Sequence, residues 1–390
     1  MVKPFQFARI PAIHFGNGII SRLPGLVRQF GSRILIVTGK GSFLKTSAAE
    51  TLFRDIKKRG AAWNIISIPG EPSPEMINNA VRKTGSERVD LVVAIGGGSV
   101  MDAGKAISAM LHMTDSVKDY LEVIGTMEHP GTKVPFIAVP TTSGTGSEAT
   151  KNAVISETGI DGFKRSLRHD NFVPEIALVD PELTVNCPAG ITAASGMDCF
   201  TQLTEAYLSV KSNLYTDALA LKGLNAIKKS LARVCKDGSD LDARGGMSFA
   251  ALTSGICLAN AGLGAVHGFA SSIGALYNIP HGIICGTLMP SANEANVTAL
   301  RRSENKEALA KYSTLGKLFL EKENGNDDYF IDGFTEYLYS LSEQIKLPGL
   351  KTAGADENDF ETIIKNTECK NNPVKLTPDE LLVILQKRYF

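Results

Sequence analysis

The sequence predicts an α/β N-terminal domain built on a doubly wound parallel sheet, followed by an all-helical C-terminal domain. Three observations carry this. Short, almost continuously apolar runs recur through the first half, each followed by a glycine-bearing turn or an amphipathic stretch. Strands of that kind, separated by helices, belong to a parallel sheet covered on both faces. After about residue 185 the strand-like runs stop, and helical periodicity continues to the C-terminus. The expected units are therefore residues 1–185 and residues 186–390.

Taken in order, RILIVT (Arg33 to Thr38) is the first β-branched run, followed by a Gly-Lys-Gly turn and an amphipathic stretch toward Arg59. WNIISI (Trp63 to Ile68) is the second strand, and PEMINNAVRKTGSE the next helix. DLVVAIGGGS (Asp90 to Ser99) runs straight into glycines, and VPFIAVP (Val134 to Pro140) ends at a Thr/Gly/Ser loop. ALVDPEL closes the last strand. Pro188 and Gly190 then open the helical run, within which EKENGNDD (Glu321 to Asp328) is expected as a polar loop.

With 41 Lys+Arg against 41 Asp+Glu, the net charge is zero, so nothing draws the chain to nucleic acid or an anionic membrane. The N-terminus has no apolar signal-like core, and six scattered cysteines without a CxxC pair read as free thiols; a cytoplasmic protein is expected. From Gly245 to Asn293 there is no Asp, Glu, Lys or Arg. Its glycines, asparagines and Pro280 break it too often for a membrane span, so it is expected as buried helices. A histidine in so dry a region must be neutral, paired or bound to something.

Three constellations carry chemistry. Gly96, Gly97, Gly98 and Ser99, with Asp102 beyond them, join a strand to a helix. Such a loop lets a phosphate approach backbone N–H groups, although a tight capped turn fits it too, and the G-x-G-x-x-G spacing is absent. Pro140 to Glu148 (PTTSGTGSE) is a second loop rich in short donors, or else a cap with Glu148 closing a capping box. In the helical half, Asp198 and Gln202 share one helix face, and His267 and His281 lie in the charge-free segment. One carboxylate and two imidazoles suit Zn²⁺ or Fe²⁺, while each alone also suits a structural role.

Together these segments resemble the iron-containing (group III) alcohol dehydrogenases over nearly the whole chain. GGGSVMDAGKAI, VPTTSGTGSEAT, ALVDPEL and ANAGLGAVHGFASSIGALYNIPHG stand in that family's order. The resemblance implies a Rossmann-like dinucleotide-binding domain and a helical, dehydroquinate synthase-like domain holding metal and substrate. It places the cofactor diphosphate on Gly96, Gly97, Gly98 and Ser99, closed by Asp102, with Thr141, Thr142 and Thr145 on the nicotinamide side. Lys164 stands where the family has a cofactor-contacting lysine, and Leu183 where an apolar side chain packs on the nicotinamide. Gly39 replaces an aspartate that often binds the adenosine ribose, so the cofactor is NAD with NADP not excluded, Lys40 being its phosphate partner.

The family's metal ligands are Asp, His, His, His. Asp198, His267 and His281 match, Gln202 replaces the first histidine and is expected at the metal, contributing an oxygen or holding a bound water, and Ser271 stands where another family histidine lies near the substrate. The resemblance thus implies a metal-dependent alcohol dehydrogenase, its Fe²⁺ or Zn²⁺ acting on the substrate hydroxyl as hydride passes to the nicotinamide. The expected partners are a small alcohol or sugar acid and a second copy of the chain in a dimer. Losing two imidazoles leaves neutral hydrogen-bonding groups and favours a polyhydroxylated substrate. One similar branch oxidises the C8 hydroxyl of 3-deoxy-manno-octulosonate (Kdo), a lipopolysaccharide sugar acid. The alternatives are a short-chain alcohol or lactaldehyde dehydrogenase and a sugar-phosphate cyclising lyase.

Overall fold

The computed structural model describes residues 4–85, 87–322 and 324–390. The N-terminal half holds β1 (Ala12–Phe15), α1 (Leu23–Val27), β2 (Arg33–Thr38), α2 (Ser47–Lys58), β3 (Ala62–Ser67) and α3 (Pro74–Thr84). It continues through β4 (Leu91–Gly96), α4 (Gly98–Met110), β5 (Phe136–Pro140), β6 (Asn152–Glu157), β7 (Phe163–Arg168) and β8 (Ile176–Val179). Six strands form one parallel sheet in the order β1-β8-β5-β4-β2-β3, while β6 and β7 pair as a separate antiparallel hairpin. The central strands β4 and β5 are buried along their whole length, as their unbroken apolar runs require. Strands β1, β6 and β7 escaped the sequence reading. β1 is a four-residue edge with mostly exposed side chains, and FKRSLR in β7 is too polar to resemble a core strand.

The chain then becomes helical: α5 (Ala189–Leu208), α6 (Leu214–Lys236), α7 (Leu241–Ala261), α8 (Ala265–Leu276) and α9 (His281–Arg302). α10 (Lys306–Leu320), α11 (Asp327–Gln344), α12 (Leu350–Ala353), α13 (Phe360–Asn366) and α14 (Pro378–Gln386) complete it. The polar loop expected over 321–328 is shorter than read. Asn326 caps α11, so Asp327 and Asp328 already form its first turn, where acidic side chains meet the positive end of the helix dipole; Glu323 lies outside the described residues.

Among the described residues no single helix is long and apolar enough to cross a membrane, and the apolar pair α7 and α8 bends by 97° at its break. Gly262, at φ +69°, supplies the left-handed backbone for that bend. The two halves share an apolar contact in which Ala149, Ala177 and Val179 meet Leu252 and Ile256 of α7. All six cysteines are free thiols.

Candidate active site

Both glycine-bearing loops leave the carboxyl ends of neighbouring strands. The strand order reverses between β2 and β4, and open α/β sheets take ligands in the crevice outside such a reversal. Gly39 follows β2 and Gly97 follows β4, so the two flank that crevice. Gly97 is the N-cap of α4, no side chain caps this helix, and its first N–H groups stay available to an anion. A Cβ on Gly96 would lie 2.7 Å from Val100, and one on Gly98 2.6 Å from Thr145, so these two glycines serve packing. At Gly97 the nearest atom would be Thr142 Oγ1 at 3.3 Å, and the backbone has an ordinary extended φ of −78°. Neither the turn nor a severe clash demands a glycine there, and its bare backbone leaves room for a close ligand.

The second loop divides its residues in the same way. Thr141, Thr142 and Thr145 are half-exposed, whereas Ser143, Gly144 and Gly146 are buried. Gly146 has φ +62°, and a Cβ on it would lie 2.4 Å from the backbone of Gly255 in α7. The glycines wedge this loop onto the helical half, and the threonines remain accessible. Asp102, expected to close the glycine loop, reaches across to the second loop and to β6. It accepts from Ser147 Oγ at 2.5 Å and from Val154 N at 3.1 Å. Buried Lys105 donates to Ser147, Thr150 and Asn152. Burial lowers this lysine to about 8 and raises Glu148 to about 7. The group clamps one loop to the other, and Glu148 forms no capping box.

The donor cluster depends on close helix packing. Cβ atoms on Gly282 and Gly286 would lie 2.2 Å from Ala194 O and 2.8 Å from Met197 Cβ, so α9 approaches α5 at backbone range. That approach carries His281 and Cys285, one turn apart on α9, to Asp198 on α5, and α8 adds His267. Asp198 Oδ1 is 3.2 Å from His267 Nε2 and 3.6 Å from His281 Nε2. One ligand atom from each of Asp198, His267, His281 and Cys285 lies within 4.8 Å of all the others. A carboxylate, two imidazoles and a thiol converging in a buried site fit a divalent cation.

Glu205, also on α5, orients the cluster. It accepts from Val266 N at 2.7 Å and meets His267 Nδ1 at 2.6 Å, leaving His267 Nε2 for the cluster. Gln202 gives its Nε2 to Asp198 at 3.4 Å, and its Oε1 accepts from Ser254 at 3.0 Å, so its oxygen faces away from the cluster. Burial pushes His281 down to about 4 and Cys285 up to about 11. It also opposes charge on Asp198 and His267, but the imidazoles hold the carboxyl below its usual value, and Cys285 and Glu205 hold His267 well above its own.

A cavity of about 520 Å³ opens beside His267 and Ser271. The neutral pocket expected from the charge-free segment is not found. Lys151, Lys164, Arg165, Arg168 and Lys370 line it against Glu122 and Glu368. The cations come from the β6–β7 hairpin, Lys151 just before it, and the segment after α13, while Glu122 lies between α4 and β5, all far away in sequence. Arg168 pairs with Glu122 at 3.3 Å, Lys370 with Glu368 at 2.6 Å and Lys164 with Glu71 at 2.8 Å. Lys151 pairs with Asp170. Arg165 forms no ion pair among the described residues, and its buried Nε has no hydrogen-bond partner. Leu183 packs half-buried against the apolar face of the sheet. Cys285, Glu205 and Arg165 were not foreseen; a cysteine at i+4 from His281 and a glutamate at i+7 from Asp198 were the available signals.

Residues 11–181 match the family model described as iron-containing alcohol dehydrogenase, and residues 192–389 match its C-terminal counterpart. The chain is 30% identical over 387 residues to alcohol dehydrogenase 4 of Saccharomyces cerevisiae (strain YJM789), covering 97% of each. It is 31% identical to 1,3-propanediol dehydrogenase of Klebsiella pneumoniae, covering 92% of each. The structure of an alcohol dehydrogenase from Oenococcus oeni superposes with a TM-score of 0.89 at 30% identity, covering 99% of this chain and 100% of that one.

Proposed function

This chain belongs to the iron-containing alcohol dehydrogenase family, oxidoreductases of CH–OH groups that use NAD(P) and a divalent metal, and on that premise we propose that its substrate is a polyhydroxylated acid oxidised at a primary hydroxyl. The specific reading is the C8 hydroxyl of Kdo, in the making of a lipopolysaccharide sugar. The cationic wall of the cavity beside His267 carries the proposal. Arg165 is half-buried and its enclosed Nε has no hydrogen-bond partner among the described residues; a substrate carboxylate would supply one. A short-chain alcohol or lactaldehyde has no charge to offer it.

In this reading Asp198, His267 and His281 hold the cation. The diphosphate lies on Gly96 to Ser99, and Thr141, Thr142 and Thr145 line the nicotinamide side with Leu183. Lys164, held by Glu71, stands at the junction of cofactor and substrate. When bound, the cation supplies Lewis acidity at the substrate hydroxyl and the nicotinamide supplies the hydride acceptor. The chain's own residues orient and exclude water. Glu205 fixes the His267 ring, and the packing of α9 on α5 keeps the cluster dry. Ser271 offers a hydroxyl at the cavity wall through which a proton can be relayed.

Assays with NAD and NADP against Kdo, 1,3-propanediol and ethanol test the proposal. Kdo is expected to give the highest kcat/KM. Arg165→Ala should raise KM for Kdo roughly tenfold or more while neutral alcohols stay within about twofold. Preference for the neutral alcohols together with an indifferent Arg165→Ala overturns the acid reading.

A further inference from the structure

Resting on the reading of Asp198, His267 and His281 as metal ligands, we infer that Cys285 supplies the fourth donor, as a thiolate, and that the site is built for Zn²⁺ rather than Fe²⁺. The argument is geometric. Zn²⁺ with bonds of about 2.0–2.3 Å to oxygen, nitrogen and sulfur needs donor–donor edges of about 3.3–3.6 Å in a tetrahedral set, and it would expand to five-coordinate to admit the substrate hydroxyl. The carboxylate-to-imidazole edges here are 3.2 and 3.6 Å, and Cys285 Sγ lies 3.6 Å from His281 Nε2 and 3.7 Å from His267 Nε2. The sulfur thus lies at that spacing from both imidazoles, and all four donor atoms fall within 4.8 Å of one another. Gln202 does not, because Ser254 holds its oxygen and its amide nitrogen donates to Asp198.

The backbone fixes this placement. Gly282 and Gly286 press the first turns of α9 onto α5, and Cys285 lies between them on the helix, one turn from His281. As the metal–sulfur bond forms, the thiol proton leaves to solvent and the cation gains a soft, anionic ligand. Thiolate with imidazole suits Zn²⁺, whereas a purely oxygen and nitrogen set suits harder ions equally well. Gln202 then has a positioning role, holding the Asp198 carboxylate one helical turn away.

Cobalt substitution tests this with a readout independent of turnover. Metal-stripped full-length protein is reconstituted with Co²⁺, and its spectrum is compared with those of Cys285→Ser, Gln202→Leu and Asp198→Asn. The expected result is a near-ultraviolet sulfur-to-cobalt charge-transfer band in the wild type. It persists in Gln202→Leu and vanishes in Cys285→Ser, which still binds Co²⁺ but with Zn²⁺ affinity weakened roughly a hundredfold. Stoichiometric Co²⁺ binding that Asp198→Asn abolishes, without that band in the wild type, overturns Cys285 as a ligand and leaves the three-ligand reading standing. Failure of the wild type to bind Co²⁺ or Zn²⁺ at all overturns the metal-site reading itself, and this inference with it.

Discussion

The two sides of the crevice offer a ligand different materials. On the α/β side these are backbone: an uncapped helix start, a bare Gly97 and threonines left accessible beside buried glycines. On the helical side they are side chains drawn together from α5, α8 and α9, three of them from the stretch 245–293 that carries no Asp, Glu, Lys or Arg. The backbone site is local in the chain and tolerates its surroundings; the side-chain site exists only while three helices stay in register. The cavity beside His267 borrows from both, with His267 and Ser271 from the helical half and its cations chiefly from the β6–β7 hairpin. One half thus offers N–H groups and positive charge, and the other a set of donors that could hold a metal ion.

Breaking the side-chain site should have the largest effect. Asp198→Ala or His281→Ala should remove bound metal and lower alcohol oxidation roughly a thousandfold or more, while calorimetry shows nucleotide affinity within about threefold of wild type. Loss of nucleotide binding in the same variants would show that the two sites are one folding unit. Breaking the backbone site sharpens the contrast from the other side. Gly97→Ala should weaken nucleotide binding about tenfold with stability changed by less than about 1 kcal/mol, whereas Gly98→Ala should destabilise the fold by more, because Thr145 occupies the space. Unchanged nucleotide affinity in Gly97→Ala would reduce the loop to a turn. Between the two sits Glu205→Gln, which keeps the hydrogen bond from Val266 but weakens the hold on His267. Metal affinity should fall about 10–100-fold by competition with a chelator.

An effect that spares both sites belongs to the clamp between the loops. Burial raises Glu148 from the ordinary glutamate value of 4.5 to about 7, so the folded chain holds that proton more tightly than the unfolded one. Its contribution to stability is full below about pH 4.5 and is lost as pH rises through about 7. Glu148→Gln should flatten that slope. Between those two pH values the wild type should lose on the order of 2–3 kcal/mol relative to the variant in denaturant titrations. Parallel pH profiles for the two proteins would remove Glu148 from the account.

What could be read in advance follows the same division. Backbone chemistry is local, so the glycine and threonine loops and the buried strands ending in them stand out in the linear sequence. Asp198, His267 and His281 stand out because ionisable groups are scarce in their segments. Cys285 reads as one more buried thiol, since nothing in the sequence says that Gly282 and Gly286 bring α9 to within backbone contact of α5. Arg165 is hidden for a related reason: β7 is polar and stands outside the main sheet, and only tertiary packing turns it toward His267. Asp102 carries the opposite lesson. Its place beside the glycines suggests ligand contact, yet its carboxylate is used on Ser147 and Val154.

The most direct test of the central claim is a metal titration of chelator-stripped enzyme, following alcohol oxidation and metal content together. The account predicts no turnover in verified metal-free protein and full recovery at one divalent cation per chain, with His281→Ala recovering neither binding nor activity. Full turnover in metal-free protein would contradict it.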